Sequence, residues 1–279
     1  MSDRKVAVVT GTSSGIGLHT AVGLARRDIR VVATMRDTGR AGQLLDTAGK
    51  DGVELAVREL DVTDRDARLR CLDEVVAEFG TIDILVNNAG ISVAGSLEQL
   101  DDAALQKQFE VNFLGVAALT RQALGPMRRA GSGRIVTVTS NGGVIGEPFL
   151  DAYCASKFAV EGLMQSLAPV AAQFGIAVSV VEPAAVETNI VQNTDLRCLG
   201  TDPDGQYGPL TEKFLRFVAE GFGTPQSPED AAAVVVEAAT SDTPRFRWQT
   251  SEAAVESVGL SLRDMDGSTV VSATSDILR

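Results

Sequence analysis

Tyr153 and Lys157 frame the run Tyr153-Cys154-Ala155-Ser156-Lys157, a spacing that places a phenol and an ammonium on one face of a helix. That pair is suited to moving protons. A tyrosine hydroxyl with a pKa near ~10 is a poor proton shuttle at neutral pH. A neighbouring positive charge favours the phenolate and draws that pKa toward the working range. The pair says little by itself, because Tyr and Lys meet at this spacing on many exposed helices.

A second constellation lies near the start of the chain. An apolar run from Val6 leads straight into Thr10-Gly11-Thr12-Ser13-Ser14-Gly15-Ile16-Gly17. Glycines at these points let the backbone turn tightly and approach a pyrophosphate, whose charge would sit at the N-terminus of the following helix. The spacing is G-x-x-x-G-x-G rather than G-x-G-x-x-G; a merely flexible loop is the competing reading.

The elements needed to position these groups are legible as well. Short apolar runs at Val6 to Val9, Val31 to Thr34, Ile82 to Val86, Ile135 to Val138 and Ile176 to Val181 suit strands buried on both faces. Val53 to Leu60 is a weaker candidate. Helical patterns cover Gly17 to Arg27, Arg65 to Phe79, Leu105 to Arg129, the stretch around Tyr153 to Phe174, and Glu229 to Ala239. Cations in the last turn and a glycine just beyond mark several of their ends. Pro169 is expected to kink the Tyr153 helix. Strand and helix alternate, which predicts an α/β fold: one doubly wound parallel-sheet (Rossmann-like) domain spanning 1–279. Asn189 to Gly223 reads as irregular, and 185–223 as a late substrate lid or else a surface loop. Residues 244–279, with Trp248, read as a C-terminal extension.

Composition narrows the function. The 279 residues carry 25 Lys+Arg against 37 Asp+Glu, a net charge of −12, so a nucleic acid partner is not expected. Three cysteines are too few and scattered for a disulfide framework, and Cys154 reads as a small packing residue. The one histidine, His19, excludes any site needing two imidazoles and reads as structural. With no secretory pattern and no apolar stretch of the ~20 residues that span a bilayer, a soluble cytoplasmic protein is expected.

Further motifs stand at the ends of the predicted strands. Asp61-Val62 follows the third, Asn87-Asn88-Ala89-Gly90 ends the fourth, Asn112 lies in the next long helix, and Ser140 closes the fifth, upstream of Tyr153 and Lys157. Taken together in this order, the sequence resembles the short-chain dehydrogenase/reductase family along essentially its whole length. Gly11 to Thr20, Tyr153 to Gly162 and Trp248 to Gly267 are most similar to its branch of hydroxysteroid and retinol dehydrogenases.

The resemblance implies an alcohol dehydrogenase or carbonyl reductase that needs no metal. Tyr153 would give a proton to a carbonyl oxygen or take one from an alcohol. Lys157 would lower the tyrosine pKa and bond the nicotinamide ribose. Ser140 would orient the substrate oxygen, and Asn112 would hold a water linking Lys157 to solvent. Each has a plainer alternative: Ser140 as a turn cap with Thr139 in its place, Asn112 as a buried amide bonded to backbone. Asn87 reads as structural. Gly11, Ser13, Ser14, Gly15, Ile16 and Gly17 would meet the phosphates, Asp61 and Val62 the adenine, Asn88, Ala89 and Gly90 the adenosine ribose. Pro183 and Val186 would lie by the nicotinamide and Thr188 would reach the phosphate or the carboxamide, although Ala184 stands where the family usually has glycine.

NAD-preferring relatives place an acid at the end of the second strand. Met35 and Arg36 stand there instead, so NADP(H) is the expected cofactor and NAD(H) the second candidate. Arg36 pairing with Asp37 is the alternative. Val144, Ile145, Phe149, Leu196, Leu199, Tyr207, Phe214 and Phe217 offer apolar surface for a small lipophilic carbonyl or alcohol, steroid-like or retinoid-like. They could equally pack the loop onto the domain. Family members associate through the helices around 102–130 and 151–174, so a homodimer or homotetramer is expected. A non-catalytic NADP-binding sensor or scaffold is the competing function; the intact Ser/Tyr/Lys set speaks against it.

Overall fold

The computed structural model describes residues 4–188, 193–202, 204–219 and 225–278. Its strands are β1 (Val6–Thr10), β2 (Arg30–Met35), β3 (Ala56–Glu59), β4 (Ile84–Asn87), β5 (Gly133–Val138), β6 (Ile176–Glu182) and β7 (Arg247–Gln249). All pair in parallel, in the order β3-β2-β1-β4-β5-β6-β7. The winding direction reverses between β1 and β4, and a crevice opens beyond their carboxyl ends at such a switch point.

Helices cover both faces, as the sequence pattern demands. Ala7 and Val9 point into a layer with Leu18 and Leu24 of α1 (Gly15–Arg26), Leu44 of α2 (Gly42–Lys50) and Val235 of the late helix Pro228–Thr240. Val6 and Val8 point the other way. They meet Leu72 of α3 (Arg65–Phe79), Leu119 of the helix Val116–Ala130 and Met164 of the helix Asp151–Ala172. Local chemistry fixes the ends. The Asp64 carboxylate accepts from the Asp66 and Ala67 amides to start α3, and Gly80, at φ +84°, ends it.

The expected helix over Leu105 to Arg129 is a composite. It comprises α4 (Asp102–Phe109), a π-helical segment Glu110–Gly115 and α5 (Val116–Ala130). α6 (Asp151–Ala172) carries the Tyr153 pair and continues through Pro169, which lies so near its end that little helix remains to be lost.

Asn189 to Gly223 is not irregular throughout, since Gly208–Ala219 forms α7. The Asp202 carboxylate accepts from the Tyr207 and Gly208 amides just before it, and Pro209 suits a first helical turn. Residues taken for loop punctuation therefore start a helix. Positions 189–192, 203 and 220–223, also within that expectation, lie outside the described residues. α8 (Pro228–Thr240) is capped by Ser227. The C-terminal stretch adds β7 and then α9 (Glu252–Arg263) and α10 (Ser268–Ser275). Among the described residues, no helix is long and apolar enough to cross a membrane.

Candidate active site

The ends of β1 and β4 are sewn together. Thr10 Oγ1 accepts from the Asn88 and Ala89 amides at 2.9 and 3.0 Å, and Asn88 Nδ2 donates to the carbonyls of Thr10 and Gly11 at 2.9 and 3.0 Å. Gly11 turns at φ +70°, where a Cβ would lie 2.8 Å from Ala89 Cα. A Cβ on Gly17 would fall inside 3.0 Å of both Asn88 Nδ2 and the Gly11 carbonyl. Gly15, at φ +58°, has Thr188 Cγ2 only 3.1 Å from where a Cβ would stand, so Thr188 leans over the turn. Ser14 precedes α1 in extended conformation, and its side chain makes no capping bond. A glycine cradle at a helix N-terminus whose amides no side chain has taken is built for a pyrophosphate. Residues Gly11 to Gly17, Asn88 to Gly90 and Thr188 thus converge on one crevice and fit a dinucleotide.

Arg36 is exposed at the end of β2 and forms no ion pair among the described residues. Asp37, its expected alternative partner, instead caps the next turn by accepting from the Gly39 amide at 2.9 Å. Asp61 Oδ1 is held by the Thr63 amide and hydroxyl, and Val62 is buried with its carbonyl accepting from Arg68. Pro183 accepts from the Asn141 amide at 2.8 Å, and Val186 bridges to Gln226.

Ser140 stands just past the carboxyl end of β5. Its Oγ accepts from the Gly142 amide at 3.1 Å and donates to Asn141 Oδ1 at 3.0 Å, and it stands close enough to Tyr153 to draw the phenol pKa down. Thr139 is not a substitute for it. The Thr139 hydroxyl is engaged by Glu161 Oε1 at 2.6 Å and by the Val181 carbonyl. Lys157 Nζ lies 5.7 Å from the centre of the Tyr153 ring and donates to the Val138 carbonyl at 3.1 Å.

The charge state of this pair departs from expectation. Burial pushes the Tyr153 pKa up, with smaller upward pushes from Cys154 and Glu147, while Ser140 pulls it down. Desolvation lowers Lys157 to about 8, opposed by Glu161. The ammonium rests on a carbonyl rather than on the phenol, so Tyr153 is a neutral phenol at neutral pH and not a lysine-stabilised phenolate.

Asn112 occupies the π-helical segment. Its Oδ1 accepts from the Ile91 amide at 2.9 Å, and its Nδ2 donates to the Ile91 carbonyl and to Ser156 Oγ. It is the buried, backbone-bonded amide of the plainer alternative. It still adjoins the site: a Cβ on Gly90 would lie 3.5 Å from Asn112 Oδ1 and 3.8 Å from Lys157 Nζ. Asn87 ties β4 to its neighbours by donating to Thr120 and Thr137, the structural role expected of it. Cys154 is buried, accepts from the Glu147 amide and has its thiol pushed up to about 12. His19 contacts Glu229 at 3.1 Å, joining α1 to α8.

The apolar wall is partly where it was expected. Phe149, Leu199 and Phe214 cluster with Ala94 and Cys154, and Tyr153 and Tyr207 pack against them. The Phe149 and Phe214 rings stand 5.2 Å apart. Val144 and Ile145 belong elsewhere, because both are buried against Val258 of α9. Leu196 is exposed. Sequence reasoning missed the polar groups behind the wall. Asn141 donates to Glu147, whose carboxyl is raised by burial; Glu161, Glu182 and Arg247 form a cluster beneath Thr139. The acid at Glu161, one turn beyond Lys157, was a usable signal. Arg247 had none, since nothing in the sequence pattern marks β7.

Residues 5–198 match the family described as short chain dehydrogenase. Retinol dehydrogenase 8 of Bos taurus is 38% identical over 98% of this chain and 90% of its own length. The 17-beta-hydroxysteroid dehydrogenase type 1 of Homo sapiens is 35% identical over 97% of this chain and 84% of its own. A solved short chain dehydrogenase/reductase from Burkholderia phymatum, in complex with NAD, is 27% identical, with a TM-score of 0.81 and 95% of each chain covered.

Proposed function

The chain belongs to the short-chain dehydrogenase family, and we propose that it interconverts a lipophilic ketone or aldehyde and its alcohol with NADP(H), Tyr153 being the acid and base. The observation that carries this reading is the meeting of Ser140, at the carboxyl end of β5, and Tyr153 around Gly142, with Lys157 Nζ 5.7 Å from the centre of the same ring. When bound, the nicotinamide supplies or accepts the hydride.

The chain's own part is protonic and positional. In reduction the neutral phenol delivers its proton to the carbonyl oxygen, completing the new alcohol; in oxidation it receives that proton back. Ser140 Oγ is held beside it by Gly142 and Asn141, and turning its hydroxyl from Asn141 Oδ1 would let it donate to the same oxygen. Lys157 keeps a positive charge beside the phenol, stabilising the phenolate that remains after proton donation. Asn112 holds the Ile91 backbone next to it.

Arg36 supports the choice of NADP(H). It is an exposed guanidinium at the end of β2 whose neighbour Asp37 is occupied elsewhere, a charge suited to a 2′-phosphate. Phe149, Leu199, Phe214 and Tyr207 around Tyr153 support a lipophilic substrate. So do the activities named for the retinol and hydroxysteroid dehydrogenases it is similar to.

Tyr153→Phe tests the assignment. Loss of a positioned general acid should lower kcat for all-trans-retinal or estrone with NADPH by about 10²–10⁴, while NADPH still binds by fluorescence titration. Turnover surviving in the variant, or no turnover by the wild type across a broad carbonyl panel with NADPH bound, would leave the sensor reading in its place.

A further inference from the structure

We propose that Glu161 is a positioning residue for the reaction: with Glu182 and Arg247 it forms a buried charge cluster that keeps the Lys157 ammonium in place and protonated. The inference rests on the role given to Lys157 beside Tyr153.

Charge counting leads to it. Glu161, Glu182 and Lys157 are 4%, 0% and 6% exposed. Arg247 Nη1 donates to Glu161 Oε2 at 2.7 Å and also to Glu182 Oε1. The remaining carboxylate oxygens are taken as well. Glu161 Oε1 accepts from Thr139, and Glu182 Oε2 accepts from Gln249. Two carboxyl groups against one guanidinium leave one carboxyl unmatched in a dry interior, an expensive arrangement, and burial raises the Glu161 carboxyl while Thr139 and Arg247 draw it down. One helical turn before Glu161 stands the Lys157 ammonium, which balances it.

The groups facing Lys157 are few. On α6 Tyr153 and Glu161 stand one turn to either side of it; Cys154 and, from the loop after β5, Glu147 act on Tyr153, while Glu182 of β6 and Arg247 of β7 act through Glu161. Among them, it is the Glu161 charge that opposes the desolvation of Lys157.

Position is served by the same contacts. Lys157 Nζ grips the Val138 carbonyl, and Glu161 Oε1 grips the hydroxyl of the next residue, Thr139. α6 is thus bolted to the end of β5 at two adjacent points, immediately before Ser140. That fixes Ser140 relative to Tyr153, which stand on the same two elements. Arg247, which completes the cluster, lies beyond the 5–198 stretch shared with the family, so the C-terminal strand reaches the catalytic pair electrostatically.

The sign of the expected effect comes from the chemistry. Lys157 loses its proton as pH rises through about 8, so kcat/KM should decline there. Removing the Glu161 charge removes an influence that raises Lys157, so the decline should move to lower pH. The test measures kcat/KM for NADPH-dependent reduction of all-trans-retinal from pH 6 to 10. In parallel, acetic anhydride labelling of Lys157 across the same range, read by mass spectrometry, reports its titration without turnover. For Glu161→Gln both midpoints should fall by about one pH unit, so activity above the wild-type midpoint drops about tenfold more than activity well below both midpoints. Glu161→Asp, which retains the charge, should return both midpoints toward wild type. Should Glu161→Gln not fold, Glu182→Gln is read instead and should shift both midpoints the same way. An activity loss equal at every pH, with the labelling midpoint of Lys157 unmoved, would overturn the inference. Survival of turnover in Tyr153→Phe would instead remove the reading beneath it.

Discussion

A single methyl group placed at two helical glycines should change stability in opposite directions. Gly17 lies in the first turns of α1 and Gly162 on the exposed side of α6. In an unhindered helix interior, Gly→Ala stabilises by roughly 0.5–1 kcal/mol because alanine has less backbone freedom to lose. Gly162→Ala should realise that gain, since its Cβ would meet nothing within 4 Å. At Gly17 the same Cβ would fall inside 3.0 Å of the Gly11 carbonyl and of Asn88 Nδ2. The carbonyl is backbone and cannot rotate away. The amide is already committed at 2.9 and 3.0 Å to the carbonyls of Thr10 and Gly11. Overpacking costs about 1–3 kcal/mol, and loss of one such hydrogen bond adds about 1 kcal/mol. Against the helix-propensity gain, Gly17→Ala should be destabilised by roughly 1–3 kcal/mol. At about 2–4 °C per kcal/mol for a domain approaching this size, thermal denaturation should show Gly17→Ala melting several degrees low and Gly162→Ala slightly high. NADPH titration should weaken only in the first. Gly17→Ala melting at or above wild type with unchanged affinity would refute the close packing of α1 on the ends of β1 and β4.

Two further outcomes test the cofactor and substrate assignments. Arg36→Glu should lower the NADPH-to-NADH ratio of kcat/KM about 10–100-fold, the worth of one charge-assisted hydrogen bond and its reversal; a wild type that prefers NADH would refute the role of Arg36. Phe214→Ala, which removes the ring seated on Phe149, should raise KM for all-trans-retinal by roughly tenfold while NADPH affinity stays unchanged, and an unchanged KM would detach α7 from substrate binding.

What the sequence disclosed and what it withheld have a common physical origin. Strands buried on both faces announce themselves as unbroken apolar runs, and β1, β2, β4, β5 and β6 all stand near the predicted positions. Chemistry tied to such strand ends was legible for the same reason: Thr10 to Gly17, Asn87 to Gly90 and Ser140 are each fixed by the strand that precedes them. β7 spans only Arg247–Gln249, with Trp248 alone buried between two polar residues, so no run betrays it. α7 was masked by Gly205, Gly208 and Pro209, whose preference for turns describes how the helix begins and is silent on its body. The electrostatics were the least legible. A lysine one helical turn from a tyrosine suggested direct stabilisation of a phenolate, yet burial reverses the direction for Tyr153 and lowers Lys157 instead. Desolvation belongs to the folded environment and has no local signature. Glu161 counters it at Lys157, and the two residues clustered with Glu161 (Glu182 and Arg247) stand on separate strands that the sheet order β5-β6-β7 brings side by side. Proton chemistry in this fold is therefore set at two levels. Short motifs place the phenol, hydroxyl and amine; long-range topology decides which of them carries a charge.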